Sequence, residues 1–372
     1  MKPSIVFVVY SMNVGGVEKA LLGVVGRYLA EGWEVHVALL RKQGGFLPYL
    51  PAEVVVHEIK GWDQVRPMLH RPPRQVIAEA LRKGHFGTAF TQLRCYAMLK
   101  LTGGNVSLYK HYLKRMPQLS DHTFDVAVAF AGPDSLIDWY VHSHIRAREK
   151  WGWIHFDISK FGCDPGIVRK VYGGFERVNV VSEAGKAIFD ARFPRLAAKT
   201  RFVPNIVDEA AVLRMAKEGG ADAVKPVGRR VVLTVGRLSP EKGQRLALEA
   251  FAAVAADCPD VDYWLVGAGV DEEPCRRFVA ERGLSDRVRF LGAQANPYPY
   301  MAAADVYVQP SVHEGYCITL AEAKLFGMPI VATDFTGARE QLDVYGHPHA
   351  VVAHAAAALA AALRKFLEYK DL

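Results

Sequence analysis

Short apolar runs rich in valine and isoleucine alternate along this chain with longer stretches in which apolar residues recur every three or four positions. The first pattern suits strands buried on both faces of a parallel sheet, and the second suits the helices that cover such a sheet. Residues 5–10, 34–40, 54–59, 126–130, 150–155 and 179–182 read as strands of one series, with a helix over 17–30 joining the first two. A second series places strands at 231–235, 262–266, 289–291, 306–309 and 330–332, and helices at 244–256, 273–281, 319–326 and 355–368. Between the series, 203–208 reads as a crossover and 219–228 as a weakly structured, glycine-flanked linker. The expected class is α/β, with two Rossmann-like doubly wound domains, 1–204 and 205–372, facing a central cleft. Ligand sites in such domains lie at the carboxyl ends of the strands.

Composition agrees with two cores. A chain of 372 residues exceeds what one ordinary core organises, and 51% hydrophobic against 23% charged residues is the balance of a globular protein rather than a disordered one. Cys95, Cys163, Cys258, Cys275 and Cys317 are scattered, with no Cys-x-x-Cys pair to suggest zinc or redox chemistry, and read as reduced thiols. The apolar run before Tyr10 is shorter than a signal-peptide core and leads into Asn13-Val14-Gly15-Gly16 instead of a cleavage site. The stretch 350–363 is alanine-rich, carries His354 and falls short of the roughly 20 apolar residues of a membrane span. The expectation is a cytoplasmic protein without a transmembrane segment, peripheral at most at the inner face of the cell membrane.

The net charge is unevenly distributed along the chain. Residues 64–120 hold ten Lys/Arg against the single acid Glu79, so this stretch carries +9 in a chain whose total is +7. Such a block suits anions: phospholipid head groups, a phosphorylated acceptor or nucleic acid. A merely solvated basic face is the plainer reading. Phe86, Phe90, Leu93, Tyr96, Leu99 and Leu101 lie among these charges, either as core residues or as a face suited to an anionic bilayer.

Two loops carry the candidate chemistry. In Val235-Gly236-Arg237-Leu238-Ser239-Pro240-Glu241-Lys242-Gly243 a buried strand ends at Gly236. Ser239 stands where an N-cap belongs, with Pro240 at the first helical position, which puts Lys242 in the first turn. Cations there oppose the helix dipole, and two of them make sense if a multiply charged anion binds. The second loop, His313-Glu314-Gly315-Tyr316-Cys317-Ile318-Thr319-Leu320-Ala321-Glu322, follows the strand 306–309. Thr319 with Glu322 fits a capping box; Glu322 could equally take the paired hydroxyls of a ribose. Backbone N–H groups after Glu314 and Gly315 would form a nest for a diphosphate.

At this point the chain resembles the retaining GT-B glycosyltransferases of family 4. The resemblance rests on Arg237, Lys242, Glu314 and Glu322, with Asn296-Pro297-Tyr298-Pro299-Tyr300, Ala304-Asp305 and Gly337-Ala338-Arg339-Glu340 in order around them. It extends to Gly15-Gly16-Val17-Glu18-Lys19 and to Trp153-Ile154-His155-Phe156-Asp157 in the first series. It implies that Arg237 and Lys242 hold the donor diphosphate and neutralise the leaving group, that Glu322 binds the ribose, and that Glu314 binds hydroxyls of the transferred sugar. The N–H groups of Tyr316, Cys317, Ile318 and Thr319, beside Gly315, would take sugar and phosphate oxygens. Gly15 and Gly16, together with Gly236, would let backbone approach the donor, since they lack a Cβ. Gly267 and Gly292 would lie at the base. His155 would hydrogen-bond the sugar beside the anomeric carbon, although a lone histidine at a strand end is more often structural.

The resemblance further implies metal-independent, front-face transfer with retention from a nucleotide-diphosphate sugar, without a cofactor, onto a glycan or lipid-linked acceptor of cell-surface polysaccharide biosynthesis. No Asp-x-Asp metal motif is apparent. The chain stops at Leu372, directly after the last predicted helix, whereas relatives usually continue with a segment crossing back onto the first domain.

Other classes fare worse. A nicotinamide dehydrogenase needs Gly-x-Gly-x-x-Gly after its first strand; residues 13–19 lack it, and Gly267-Ala268-Gly269 is followed by Glu272. No nucleic-acid module accompanies the pI of 9.0. A sugar-nucleotide epimerase on the same fold and a catalytically silent partner subunit remain as alternatives.

Overall fold

The computed structural model describes residues 2–102, 106–133, 135–160, 163–218 and 223–368. Part of the 219–228 linker, Leu372 and the side chain of Leu99 therefore lie outside the described residues. The chain divides into two compact units, 1–181 with 186–203, and 182–185 with 204–372.

The first unit is built on β1 (Ser4–Val9), α1 (Gly16–Ala30), β2 (Glu34–Leu39), β3 (Val55–Glu58), then four helices, α2 (Trp62–His70), α3 (Pro73–Arg82), α4 (Phe86–Thr102) and α5 (Val106–Leu113). It continues with β4 (Phe124–Gly132), α6 (Leu136–His144), β5 (Ala147–Ile154), α7 (Pro165–Gly173), β6 (Arg177–Val180), α8 (Glu183–Arg192) and β7 (Thr200–Phe202). Its seven strands run in the order β3-β2-β1-β4-β5-β6-β7, with every neighbouring pair parallel. All six residues of β1 are buried, which is why that strand shows no apolar-polar alternation.

The second unit comprises α9 (Glu209–Lys217), β8 (Arg230–Val235), α10 (Gln244–Ala255), β9 (Val261–Val266), α11 (Glu272–Glu281), β10 (Val288–Phe290), α12 (Tyr298–Ala303) and β11 (Val306–Gln309). It ends with α13 (Ile318–Ala323), β12 (Ile330–Thr333), α14 (Ala338–Leu342), β13 (His349–Val352) and α15 (Ala356–Glu368). Its six parallel strands are ordered β10-β9-β8-β11-β12-β13. Val232 packs with Leu248, Phe251 and Leu363 on one face, while Val231, Leu233 and Val235 pack with Trp264, Tyr307 and Leu342 on the other, so helices cover both. Both units are thus Rossmann-like parallel α/β folds, as the strand-helix alternation predicts.

Three local readings are corrected. Pro240–Lys242 forms a separate 3-10 turn closed by Gly243, and α10 starts only at Gln244; the Ser239 side chain makes no capping bond. Lys242 is therefore not in the first turn of an α-helix. The capping box expected of Thr319 and Glu322 is absent, because α13 starts at Ile318 and its N-cap is Cys317, in the left-handed region at φ 57°. Core packing of the apolar residues in the basic stretch fails for Phe86, Phe90, Leu93 and Leu101, all of which are exposed. Strands β7 and β13 escape the sequence pattern: β7 has one apolar residue in three, and β13, half-buried along its length, merges with the apolar run of α15. Among the described residues no helix is long and apolar enough to cross a membrane.

Candidate active site

In the second unit the chain reverses direction of winding between β8 and β11, neighbours in the sheet though not in sequence. A crevice at such a switch point is where open parallel sheets bind ligands. The two motif loops leave the carboxyl ends of just these strands. They are stitched together: the Val312 N–H donates to the Glu241 carbonyl at 2.9 Å. Gly243, at φ +70°, passes so close to Pro310 that a Cβ would stand 2.0 Å from its carbonyl oxygen. Only glycine fits there.

This contact brings Lys242 to Glu314. The Lys242 ammonium donates to the two carboxylate oxygens at 2.6 and 2.8 Å, with the lysine side chain 22% and the glutamate 9% exposed. Burial pulls the Lys242 pKa down, but the Glu314 carboxylate outweighs it, and the ammonium is held above its ordinary value. Ser311 donates to the same carboxylate at 2.7 Å, Gln309 donates to Ser311 at 2.8 Å, and the buried Tyr307 hydroxyl donates to Gln309 at 2.8 Å. A polar chain thus runs from inside β11 to Glu314 and fixes its orientation. Gln309 and Ser311 are not among the residues the motifs mark; their only signal in the sequence is polarity in and just beyond an otherwise apolar strand.

Arg237 differs from Lys242. Its side chain is 69% exposed and pairs with Glu241 at 2.9 Å. The two cations expected to await an anion jointly therefore each face a carboxylate, and the motif pattern does not mark Glu241 for that role.

Glu322 is buried, one turn into α13, and accepts a hydrogen bond from Tyr298 at 2.9 Å. Burial and the adjacent Glu322 push the Tyr298 hydroxyl pKa far up, so it stays a proton donor. Asn296 anchors this tyrosine: its side chain accepts from the Tyr298 N–H at 3.2 Å and donates to the Met215 carbonyl at 2.8 Å. The Asn296–Tyr300 motif thereby acquires a positioning role that the sequence does not reveal. Tyr316, Cys317, Ile318 and Thr319 form the entry to α13, with Gly315 buried before them. Thr319 donates to Gln309 at 3.3 Å rather than capping the helix. The first N–H groups of a helix have no intrahelical acceptor and suit an anion.

The glycines divide by physical cause. Gly267, at φ +147°, would place a Cβ 1.9 Å from the Gly236 carbonyl oxygen, and its N–H donates to Gly292 at 2.7 Å. Its identity is explained by packing against the Gly236 backbone. Gly292 is a left-handed turn residue with open space around its missing Cβ.

In the first unit, Gly15 is the N-cap of α1 in extended backbone and Gly16 its first residue; a Cβ on Gly16 would meet nothing within 4 Å. The loop before them is held by a segment that carries no motif. Met12 exchanges backbone hydrogen bonds with Gln43 and Phe46 at 2.9 and 2.8 Å, and Gly44 crosses the Met12 backbone where no Cβ fits. His155 follows β5, its ring 4.4 Å from that of Phe130 and parallel to Trp153. Burial lowers its pKa to about 3, and its Nε2 has no hydrogen-bond partner among the described residues. It is a neutral hydrogen-bonding group at physiological pH. Among the described residues no group of three or more His, Cys, Asp or Glu side chains could hold a metal ion.

Comparisons with known proteins bear on the fold and the family. Residues 220–372 match the family model described as glycosyl transferases group 1. A lipopolysaccharide core biosynthesis glycosyltransferase of Rhizobium meliloti is 35% identical over 30% of this chain and 32% of its own length. The 2-deoxystreptamine glucosyltransferase of Streptomyces kanamyceticus is 29% identical over 54% of this chain and 48% of its own. The matched region spans less than half the length of each of these curated relatives. Among solved structures, the HepE protein of Anabaena in complex with UDP and glucose superposes with a TM-score of 0.66 at 20% identity, covering 99% of this chain and 90% of that one. The structural neighbours share the GT-B fold.

Proposed function

We propose that this protein is a retaining glycosyltransferase that moves a sugar from a nucleotide-diphosphate donor to a glycan or lipid-linked acceptor of cell-surface polysaccharide biosynthesis. The observation that carries the reading is the Lys242–Glu314 pair at the switch point of the second unit, with Arg237 exposed on the same loop. Its support comes also from the group 1 match over that unit and from fold neighbours whose structures hold UDP or UDP-glucose.

In this reading the donor diphosphate draws Arg237 away from Glu241 and sits beside the Lys242 ammonium. The two cations stabilise the charge that develops as the C1–O bond to phosphate lengthens, and electrostatic stabilisation of this kind is usually the main source of rate enhancement in such a site. Glu314, held by Lys242 and Ser311, accepts from hydroxyls of the transferred sugar. Glu322, held by Tyr298, accepts from the ribose. The N–H groups of Tyr316 to Thr319 take phosphate and sugar oxygens. The acceptor hydroxyl attacks from the face the leaving group departs; its oxygen bonds to C1, and its proton passes to the departing phosphate oxygen. No metal or cofactor enters the reaction. In the first unit His155 offers a neutral, desolvated ring nitrogen to a sugar hydroxyl. Gly15 and Gly16 leave room for ligand at the start of α1, and that unit receives the acceptor at the cytoplasmic face of the membrane.

The test is thermal unfolding with UDP, GDP and ADP in turn, on the wild type and on Arg237→Ala. One nucleotide at a hundredfold excess over its Kd should add about 2.7 kcal/mol, lost in the variant. Product NMR with the matching nucleotide sugar should then show the donor's anomeric configuration retained. No response to any nucleotide would overturn the reading in favour of a silent subunit; inversion at the anomeric carbon would overturn retention alone.

A further inference from the structure

Helix α4 is apolar on two opposite sides. One side buries Ala89, Gln92 and Cys95 in the first unit. The other presents Phe86, Phe90, Leu93 and Leu101, exposed by 69%, 69%, 53% and 80%. Their spacing of four, three and eight residues places them within about 80° of one another around a helix of 3.6 residues per turn. They form one continuous outer stripe, where an ordinary surface helix would carry charges.

What flanks the stripe identifies its occupant. Arg94 and Lys100 border it on α4, and Arg82 and Lys83 stand exposed at the end of the adjoining α3. The only acid within 64–120, Glu79, is already bound by Arg71 and Lys83, each at 2.6 Å. A second copy of this chain docking through the same stripe would bring two +9 segments together, so self-association by this face is opposed electrostatically. A two-aromatic, leucine-lined ridge framed by Arg and Lys matches the boundary between acyl chains and anionic head groups.

We propose that the outer stripe of α4 is a membrane-docking ridge. Phe86, Phe90, Leu93 and Leu101 enter the acyl boundary of an anionic bilayer in the plane of the interface, and Arg82, Arg94 and Lys100 engage lipid phosphates. The ridge gives a physical means for the acceptor location suggested above, but its existence does not depend on glycosyl transfer.

Flotation of the full chain with vesicles of phosphatidylcholine alone or with phosphatidylglycerol added, at low and high salt, tests it. The expected result is binding to the acidic vesicles only, weakened by salt. The triple variant F86S/F90S/L93S should lose roughly tenfold in partitioning through lost apolar burial. The charge variant R94Q/K100Q should lose binding chiefly at low salt. Because all five side chains are exposed, circular dichroism and the nucleotide-induced thermal shift should be unchanged in both. No flotation with acidic vesicles at low salt overturns the proposal. So does undiminished binding by the triple variant, or a wild-type dimer in sedimentation that the triple variant abolishes, which would assign the stripe to a second copy. An absent nucleotide response alongside intact flotation would instead sink the glycosyltransferase reading and leave the ridge standing.

Discussion

Lys242 and Glu314 are 72 positions apart in the chain and form a two-oxygen ion pair at 2.6 and 2.8 Å on neighbouring strand-end loops. The pair joins the stability of the second unit to the chemistry proposed for it, since neither member can be removed without leaving the other mostly buried.

Replacing Lys242 by alanine should therefore cost about 3 kcal/mol of stability, the low end for a buried ion pair because the lysine is partly exposed, since it strands a mostly buried carboxylate. The double variant K242A/E314Q should recover part of that loss while remaining without activity. Urea denaturation of the two singles and the double gives the coupling; an additive double variant would show that the pair contributes nothing to stability.

Arg237→Ala should behave oppositely. The side chain is 69% exposed, so stability should change by less than about 0.5 kcal/mol while nucleotide-diphosphate binding collapses. Glu241→Gln releases the same arginine from its carboxylate and should tighten nucleoside-diphosphate binding severalfold. Calorimetric titration of both variants checks this, and weaker binding by E241Q would mean that Glu241 orients Arg237 rather than competing for it.

Tyr298→Phe removes one hydrogen bond to buried Glu322 and should cost about 1–2 kcal/mol of stability. If Glu322 takes the ribose, the variant should weaken a nucleoside diphosphate more than inorganic pyrophosphate. Equal weakening of both ligands would remove Glu322 from ribose recognition.

Acid should destabilise the first unit. Burial depresses His36, His57, His142 and His144, takes His111 to about 4 with help from Arg115, and takes His155 to about 3. Below the unfolded histidine pKa of about 6.5 the unfolded chain binds protons that the folded one refuses, so stability is full above that pH and falls as pH drops toward the folded values. For His155 alone the loss at pH 5 approaches about 2 kcal/mol. Urea midpoints between pH 7.5 and 5 should decline accordingly, with a shallower decline in His155→Gln; a flat profile would contradict the buried, neutral state of these rings.

Much of the fold is legible in the sequence because hydrophobic burial writes itself into consecutive residues. The limits of Val306–Gln309 follow from the apolar pattern alone, and those of β8, β9 and α10 to within a residue, since their apolar positions sum locally. Strands β7 and β13 do not: β7 is Thr200-Arg201-Phe202, with a single apolar residue, and β13 runs into the alanine-rich stretch of α15, so neither leaves an apolar run of its own.

The candidate site divides along the same line. Strand, glycine and turn signals are local, and they alone put Arg237, Lys242, Glu314 and Glu322 on loops and helix starts after buried strands. Their partners are legible in the folded chain alone: Lys242 on Glu314, Arg237 on Glu241 and Glu322 on Tyr298, with Cys317 rather than Thr319 at the head of α13. The physical reason is that β8 and β11 become neighbours through sheet order, not chain order, and close contacts such as Gly243 against Pro310 then set which charges meet. A residue's chemical type belongs to its position in the chain; the group it faces depends on how the strands are shuffled.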